Sequence, residues 1–410
     1  MLSMRVAAPL LLFLVSTVNA QPLRLHPGNP HYFEYRGKPA VLITSAEHYG
    51  AVLNGAFNYV RYLDTLRDDG MNLTRIFAGV YRERPEDFGI ANNTLAPMPA
   101  VFVSPFARSE TLGALDGLNK FDLTQWNAAW IERLRDFVSQ AARRGIVVEV
   151  TLFCVFYRDH MWEASPLNPR NNVQGIAEGI PRTEVLTLKH PAMVKLQEAF
   201  VRKVIETLNE FDNVFFEICN EPYVTNVPDD WQRHIARTIS AVEAGLPKRH
   251  LIAQNIANNG KKIVDPDPNV SVFHFHYARP PSTVGENYGL NKVIGLDETG
   301  FDGTADFIYR IQAWDFLLAG GAYYNNLDYS FAPGHEDGSF AYPGTQPGGG
   351  SRNLRRQLAI LSRFFQDLDF VTMSPAANLI TRGVPEEASA RALGNRSGSQ
   401  YAVYLHHGRV

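Results

Sequence analysis

Val214-Phe215-Phe216-Glu217-Ile218-Cys219-Asn220-Glu221-Pro222-Tyr223 runs apolar for the length of a strand and then stops on Asn-Glu-Pro. A short apolar run closed by a turn reads as a strand buried on both faces. Pro222 removes a backbone donor and fixes the direction in which the chain leaves. A helix-compatible stretch, 229–243, follows. Further along, Val293-Ile294-Gly295-Leu296-Asp297-Glu298-Thr299-Gly300 repeats the arrangement of apolar strand, terminal carboxylate and turn. Strand, charged tip and helix in succession are the repeating unit of a parallel sheet wrapped by helices.

Outward from these two stretches the same alternation continues. Strands are expected over 40–44, 72–78, 146–153, 214–219, 250–254, 270–276, 293–296 and 321–325, and helices over 59–69, 126–144, 192–208, 304–318 and 353–368. The segment after the sixth strand is too short for a full helix. Eight strand units favour a closed (β/α)8 TIM barrel over an open sheet. Two long connections, 79–122 and the one running to 189, follow strands two and three; loops of that length are unusual unless functional. They fall on the rim where barrels of this kind build their sites.

The chain has 410 residues, 45% hydrophobic and 20% charged, enough for a large single core, with a net charge of −3. Its Lys and Arg are scattered rather than clustered, so nothing suggests nucleic acid as a partner. Residues 1–20 carry Arg5, an apolar run from Val6 to Val15 and the small-residue end Val18-Asn19-Ala20. That is the pattern of a secretory signal, which places the mature protein outside the cytoplasm, secreted or periplasmic. The run falls short of the roughly 20 residues a spanning helix needs, and no later stretch in the sequence is long and apolar enough. The expected organisation is a signal over 1–20, a catalytic barrel over 21–369, and over 370–410 the start of a small β domain whose remainder is missing. Cys154 and Cys219 end two of the apolar runs and read as buried free thiols, since neighbouring parallel strands seldom offer disulfide geometry.

Glu221 and Glu298 bring two carboxylates to one rim. Cleavage of a glycosidic bond needs such a pair: one group protonates the leaving oxygen, and the other attacks or stabilises the oxocarbenium-like carbon. Glu221 must then be protonated when substrate binds and Glu298 ionised, so their environments should drive the two pKa values apart. Asp297 rivals Glu298, but alternation along a strand sends neighbours to opposite faces. His274 and His276, two apart, share a strand face. Metal ligands are presented in the same way, so a metal-dependent hydrolase using these histidines stands as an alternative, with only His48 on the first rim as an obvious further ligand. The reading preferred here uses no metal and no cofactor, the histidines binding substrate and nucleophile through hydrogen bonds. Arg75 is costly inside a barrel unless paired, and the strand-seven carboxylate gives it a partner. Tyr49, Tyr81, Tyr157, Tyr223, Tyr277 and Tyr324 are aromatic residues of the presumed rim and suit the C–H faces of a sugar, and Asn325, Asn326 and Asp328 could bind hydroxyls or form a turn. A carbohydrate-binding barrel without catalysis would be expected to lose one carboxylate, and both are present.

At these residues the chain resembles the retaining (β/α)8 glycoside hydrolases of clan A, the cellulase-like superfamily. The resemblance rests on Asn220-Glu221-Pro222, Glu298-Thr299-Gly300, the Asn72-x-x-Arg75-Ile76 run and the His/Tyr cluster ending at Tyr277, and covers roughly 24–369. It implies that Glu221 is the general acid/base, Glu298 the nucleophile, Asn220 a ligand of the sugar 2-hydroxyl, and Arg75 and Tyr277 supports of the nucleophile. His48, His274, His276, Tyr324 and Asn325 are the further expected substrate contacts. The opening hairpin and the tail from Phe370 resemble secreted bacterial members with an appended β-sandwich. The chain departs from the family in having Tyr323-Tyr324-Asn325 where many members place a tryptophan, no histidine at strand three, and Glu47-His48 at strand one.

Overall fold

A computed structural model describes residues 21–176, 178–380 and 382–407. The expected secretory signal lies outside the described residues. Eight parallel strands form the central sheet: β1 (Leu42–Ala46), β2 (Leu73–Phe77), β3 (Val147–Cys154), β4 (Val214–Asn220), β5 (Ile252–Asn258), β6 (Val272–His276), β7 (Val293–Glu298) and β8 (Tyr323–Leu327). Their order is β1-β8-β7-β6-β5-β4-β3-β2. The seam between β1 and β2 is bridged by one side chain. Asn72 Oδ1 accepts from the Ile43 amide at 2.7 Å while its Nδ2 donates to the Val41 carbonyl at 2.9 Å. The sheet is thus the (β/α)8 barrel expected.

Helices α1 (Tyr59–Asp68), α2 (Ala128–Arg143), α3 (Pro191–Leu208), α4 (Asp229–Ala244), α5 (Ser282–Asn287), α6 (Asp306–Leu318) and α7 (Arg352–Gln366) wrap the outside. The six residues of α5 match the gap foreseen after strand six. Each long helix buries one stripe; on α2 it is Trp130, Leu134, Phe137, Val138 and Ala141, the spacing of a single helical face.

Two expectations need correction. The stretch after β2 is not irregular throughout: Phe106–Leu112 and Asn119–Trp126 pair as an antiparallel hairpin. Much of it is solvent-facing and polar, so it carries no apolar alternation to betray it. Trp126 ends this hairpin, and α2 starts two residues later than read, behind Asn127, whose side chain accepts from the Ala129 amide. At strand eight the paired segment begins at Tyr323, and Gly321 lies before it, close against the Phe316 ring at the end of α6.

An N-terminal three-stranded sheet (Arg24–His26, Asn29–Tyr35, Lys38–Ala40) closes the barrel floor. Its Phe33 ring lies 6.4 Å from Phe215 and 6.3 Å from Tyr323. Gly295 makes room for the Tyr323 ring that meets this plug, since a Cβ there would stand 1.9 Å from it. The tail folds as a second antiparallel sheet (Met373–Pro375, Ala388–Asn395, Tyr401–His407). It packs on α6 through Tyr404 stacked on Trp314 at 5.4 Å and Arg391 paired with Asp315 at 3.2 Å. Both cysteines are buried free thiols, as read. Among the described residues no helix is long and apolar enough to cross a membrane.

Candidate active site

Tyr49 (φ 56), Glu221 (φ 48) and Tyr277 (φ 52), each just past a strand, adopt left-handed backbone. Each such conformation costs of order 1–3 kcal/mol and persists only where the surroundings dictate it. All three lie on one rim and turn their side chains into a cleft of about 370 Å³. Glu221, Glu298, Asn220, His48 and Tyr277 line this cleft together with Tyr157.

Glu221 is held by three groups. Tyr157 donates its hydroxyl to Oε2 at 2.6 Å, Tyr223 donates to Oε1 at 3.1 Å, and His276 Nδ1 stands 3.3 Å from Oε1. Burial pushes the Glu221 carboxyl up, but the hydrogen bond and charge of His276 and the two phenols outweigh it, leaving it below the usual range. That direction is opposite to what a resident acid requires. The missing proton is on the neighbour: burial disfavours a charged His276, yet the Glu298 charge, with Asp297 and Glu221, drives its ring up to about 10.

Glu298 lies across the cleft. Tyr49 donates to its Oε2 at 2.9 Å, Tyr277 donates to Oε1, and Arg75 Nη1 is 3.6 Å from Oε2. One carboxylate oxygen from each glutamate and a ring nitrogen of His276 all lie within 4.8 Å of one another.

Beneath this floor is a fully buried charged layer. Arg75 Nε stands 3.0 Å from both Glu217 Oε2 and Asp297 Oδ2, and its Nη2 donates to Asn220 Oδ1 at 2.9 Å. Glu149 and His274 complete the layer; His274 Nε2 is 3.5 Å from Glu217 and 3.7 Å from Glu149. Asn255 fixes the His274 tautomer. Its Oδ1 accepts from the Glu221 amide at 2.9 Å, so its Nδ2 faces His274 Nδ1 at 3.1 Å and that nitrogen is an acceptor. Burial drives His274 down to about 3, so the ring is neutral, with its proton on Nε2. Burial and the adjacent Asp297 charge push the Glu149 carboxyl well up, while Asp297, despite burial, is held low by the Arg75 charge and by the hydrogen bond and charge of His276.

The expected opposition of Asp297 and Glu298 does not occur. The β6–β7 register slips between Phe275 and His276, pairing His276 with Glu298, and both carboxylates turn toward the barrel axis at different heights. Only Glu298 reaches the cleft. Of the expected substrate contacts, Arg75, His274 and His276 lie under the floor with side chains that are 0% exposed. Tyr324 points outward to the α6 side, where its hydroxyl donates to the Tyr309 carbonyl at 3.0 Å, and Asn325 is buried inside the barrel. Asn326 and Asp328 bind Thr299, Ser45 and Arg355, so they hold the fold and not a ligand.

Cleft residues that the sequence did not single out include Glu83, Phe88, Asn258, Arg279, Phe301 and Asp302. All come from loops or strand ends, where no periodicity marks them. Glu149 and Glu217 did carry a signal, the one that exposed Arg75: a charge inside an apolar strand. A second hollow of about 490 Å³ lies outside the barrel against α4 and is lined by neither paired glutamate.

The chain matches a family described as a domain of unknown function (DUF6298) over residues 90–261. No curated protein matches it. Among solved structures it is similar to a glycoside hydrolase family 5 protein from Bacteroides vulgatus, at TM-score 0.60 and 14% identity over 91% of this chain and 78% of that one. It is also similar to the endo-1,4-beta-mannanase from Rhizomucor miehei, at TM-score 0.54 and 11% identity, covering 85% of this chain and 100% of that one. A third is the endo-beta-1,4-mannanase from Thermotoga petrophila, at TM-score 0.51 and 15% identity over 88% and 84%. The fold is therefore the (β/α)8 barrel that these structures share, as the alternation of strands and helices suggested.

Proposed function

We propose that the protein is an exported glycoside hydrolase that cleaves an O-glycosidic bond of an oligo- or polysaccharide with retention, by double displacement at Glu221 and Glu298. The observation that carries this is the approach of the two carboxylates, oxygen to oxygen within 4.8 Å. Retaining enzymes hold the pair at ~5–5.5 Å, whereas inverting ones leave ~6.5–9.5 Å for a water. Glu298, fixed by Tyr49, Tyr277 and Arg75, attacks the anomeric carbon. Glu221 protonates the departing oxygen and then activates the water that releases the sugar. His276 Nδ1, 3.3 Å from Glu221 Oε1, holds that carboxyl low and is the nearest ring able to share a proton with it. Asn220, oriented by Arg75 and by its own 2.8 Å hydrogen bond to Tyr157, stands beside Glu221 where a sugar 2-hydroxyl would lie.

The test is a screen of the protein on aryl glycosides, followed by chemical rescue. Glu221→Ala should keep activity on substrates with good leaving groups and gain from added azide. Glu298→Ala should lose activity on all substrates by roughly 10⁴-fold or more and yield an azide adduct of inverted configuration. Identical behaviour of the two variants would refute the assignment.

A metal-dependent reading draws on the same convergence of Glu221, His276 and Glu298 donors. The tautomer of His274 opposes only a deeper site with Glu149 and Glu217, because the nitrogen facing them carries the proton and has no lone pair to give. Activity that survives in chelator agrees with the glycosidase; activity lost there and restored by a divalent ion would favour the metal.

A further inference from the structure

The two sides of the cleft differ in chemistry. In a double displacement the leaving group lies against the acid, and the sugar that becomes attached lies over the nucleophile. On the acid's side the Tyr223 hydroxyl bridges Glu221 and Asn258, 3.1 Å from the carboxylate and 2.6 Å from the Asn258 side-chain amide. On the nucleophile's side the His48 ring stacks on Tyr49, centroids 5.4 Å apart, and Tyr49 holds Glu298. His48 Nε2 is 3.2 Å from Glu83 Oε2, and Glu83 is fixed by Tyr81 at 3.0 Å and Asn93 at 2.5 Å. His48 also lies 6.2 Å from Tyr329, whose ring meets Phe301 edge-on at 6.3 Å. Phe301 is 37% exposed, an aromatic face left open at the cleft.

A sugar ring asks for just this pairing, a polar edge beside an apolar face. We propose that His48, Glu83 and Phe301 form the glycone subsite of this chain, the His48–Glu83 pair binding a ring hydroxyl and Phe301 lying against the C–H face. The inference rests on the double-displacement reading, which defines the side on which the glycone lies. The aromatic face comes from the loop after β7 and the polar contact from the loops after β1 and β2. The subsite also defines the substrate class. Held among His48, Tyr81 and Asn93, the Glu83 carboxyl offers a ligand acceptor oxygens, which suit a hydroxyl and not a carboxylate or sulfate; the glycone is neutral and unsubstituted at that hydroxyl.

The experiment measures kcat/KM for a matrix of aryl glycosides: the preferred glycone, its uronate and its singly deoxygenated forms, each on several aryl leaving groups. The parent protein, Glu83→Gln, His48→Asn, Phe301→Ala and the aglycone-side control Asn258→Ala are compared. One deoxy position should cost the parent roughly 10- to 100-fold, the range for a hydrogen bond to a charged group. That penalty should vanish in Glu83→Gln and His48→Asn. Phe301→Ala, a change at an exposed position, should raise KM for every aglycone by the same factor, whereas the Asn258→Ala loss should vary with the aglycone. An unchanged deoxy penalty in Glu83→Gln, a Phe301→Ala loss that tracks the aglycone, or a uronate preferred over the neutral sugar would each overturn the inference while leaving the glycosidase standing. Failure of every glycoside to react would remove the parent reading and the subsite with it.

Discussion

A carboxyl group buried beside other carboxylates must give up either its charge or its place. Glu149 is 0% exposed, neither of its oxygens has a hydrogen-bond partner, and burial with the Asp297 charge raises its pKa well above the ordinary 4.5. It therefore keeps a proton in the folded state that the unfolded chain releases above about 4.5. Between those two values the native state binds more protons, so stability falls as pH rises. Glu149→Gln, which matches the protonated acid in shape, should equal the parent near pH 4.5 and be more stable at pH 7–8. Thermal melts across that range check it; a variant less stable than the parent at neutral pH would show that Glu149 is ionised. The same layer shows what a single residue's identity reveals. Arg75, Glu149 and Glu217 are legible as inward-facing because a charge in an apolar strand needs an internal partner. Whether a residue lies in the cleft or below it is a matter of height along the strand, set by register. That is why His274 and Asn325 lie deeper than expected while His48, a strand-tip residue, lies in the cleft.

At the scale of elements, strand and helix types were readable wherever burial imposed a period, as in β4 and α2. The hairpin Phe106–Leu112 with Asn119–Trp126 was not, since tertiary contacts hold it. Asp116 in its turn pairs with Arg82 at 2.9 Å and Arg108 at 2.5 Å, and Asn171 from the loop after β3 binds the Leu115 amide at 2.8 Å. Burial pushes the Asp116 carboxyl up, but the Arg108 hydrogen bond and the charges of Arg108 and Arg82 hold it below the usual range. A lowered folded-state pKa adds stability above the unfolded value of about 3.8 that is lost as pH falls through the folded one. Asp116→Asn should cost about 1–3 kcal/mol and narrow its gap to the parent in acid. Hydrogen exchange should show the added amide exposure confined to 106–126; protection unchanged there would mean the hairpin is held by other contacts.

For the whole molecule, closure of the barrel is the structural condition of the site, because the glutamates meet only if β4 and β7 belong to one ring. Arg355 on α7 secures the β8–β1 seam. It is fully buried, donates to Asp69 Oδ2 at 2.9 Å and to Asp328 Oδ2 at 2.6 Å, and Ser45 of β1 donates to the same Asp328 oxygen at 2.8 Å. Arg355→Ala strands two buried carboxylates and should cost about 3–5 kcal/mol, read from the denaturation midpoint; a loss below ~1 kcal/mol would show that the seam does not depend on the network. Nothing in the sequence near Arg355 marks it, since its partners lie far apart along the chain and only the closed ring brings them together.

The measurement that tests the central claim most directly is a proton NMR time course of the first-formed sugar anomer, on the aryl glycoside the protein cleaves fastest. Two carboxylates this close leave no room for a water between nucleophile and anomeric carbon, so the account predicts that the anomer released first has the configuration of the substrate, with the other appearing only by mutarotation. A first product of opposite configuration would contradict it, and with it the assignment of Glu298 as the attacking group.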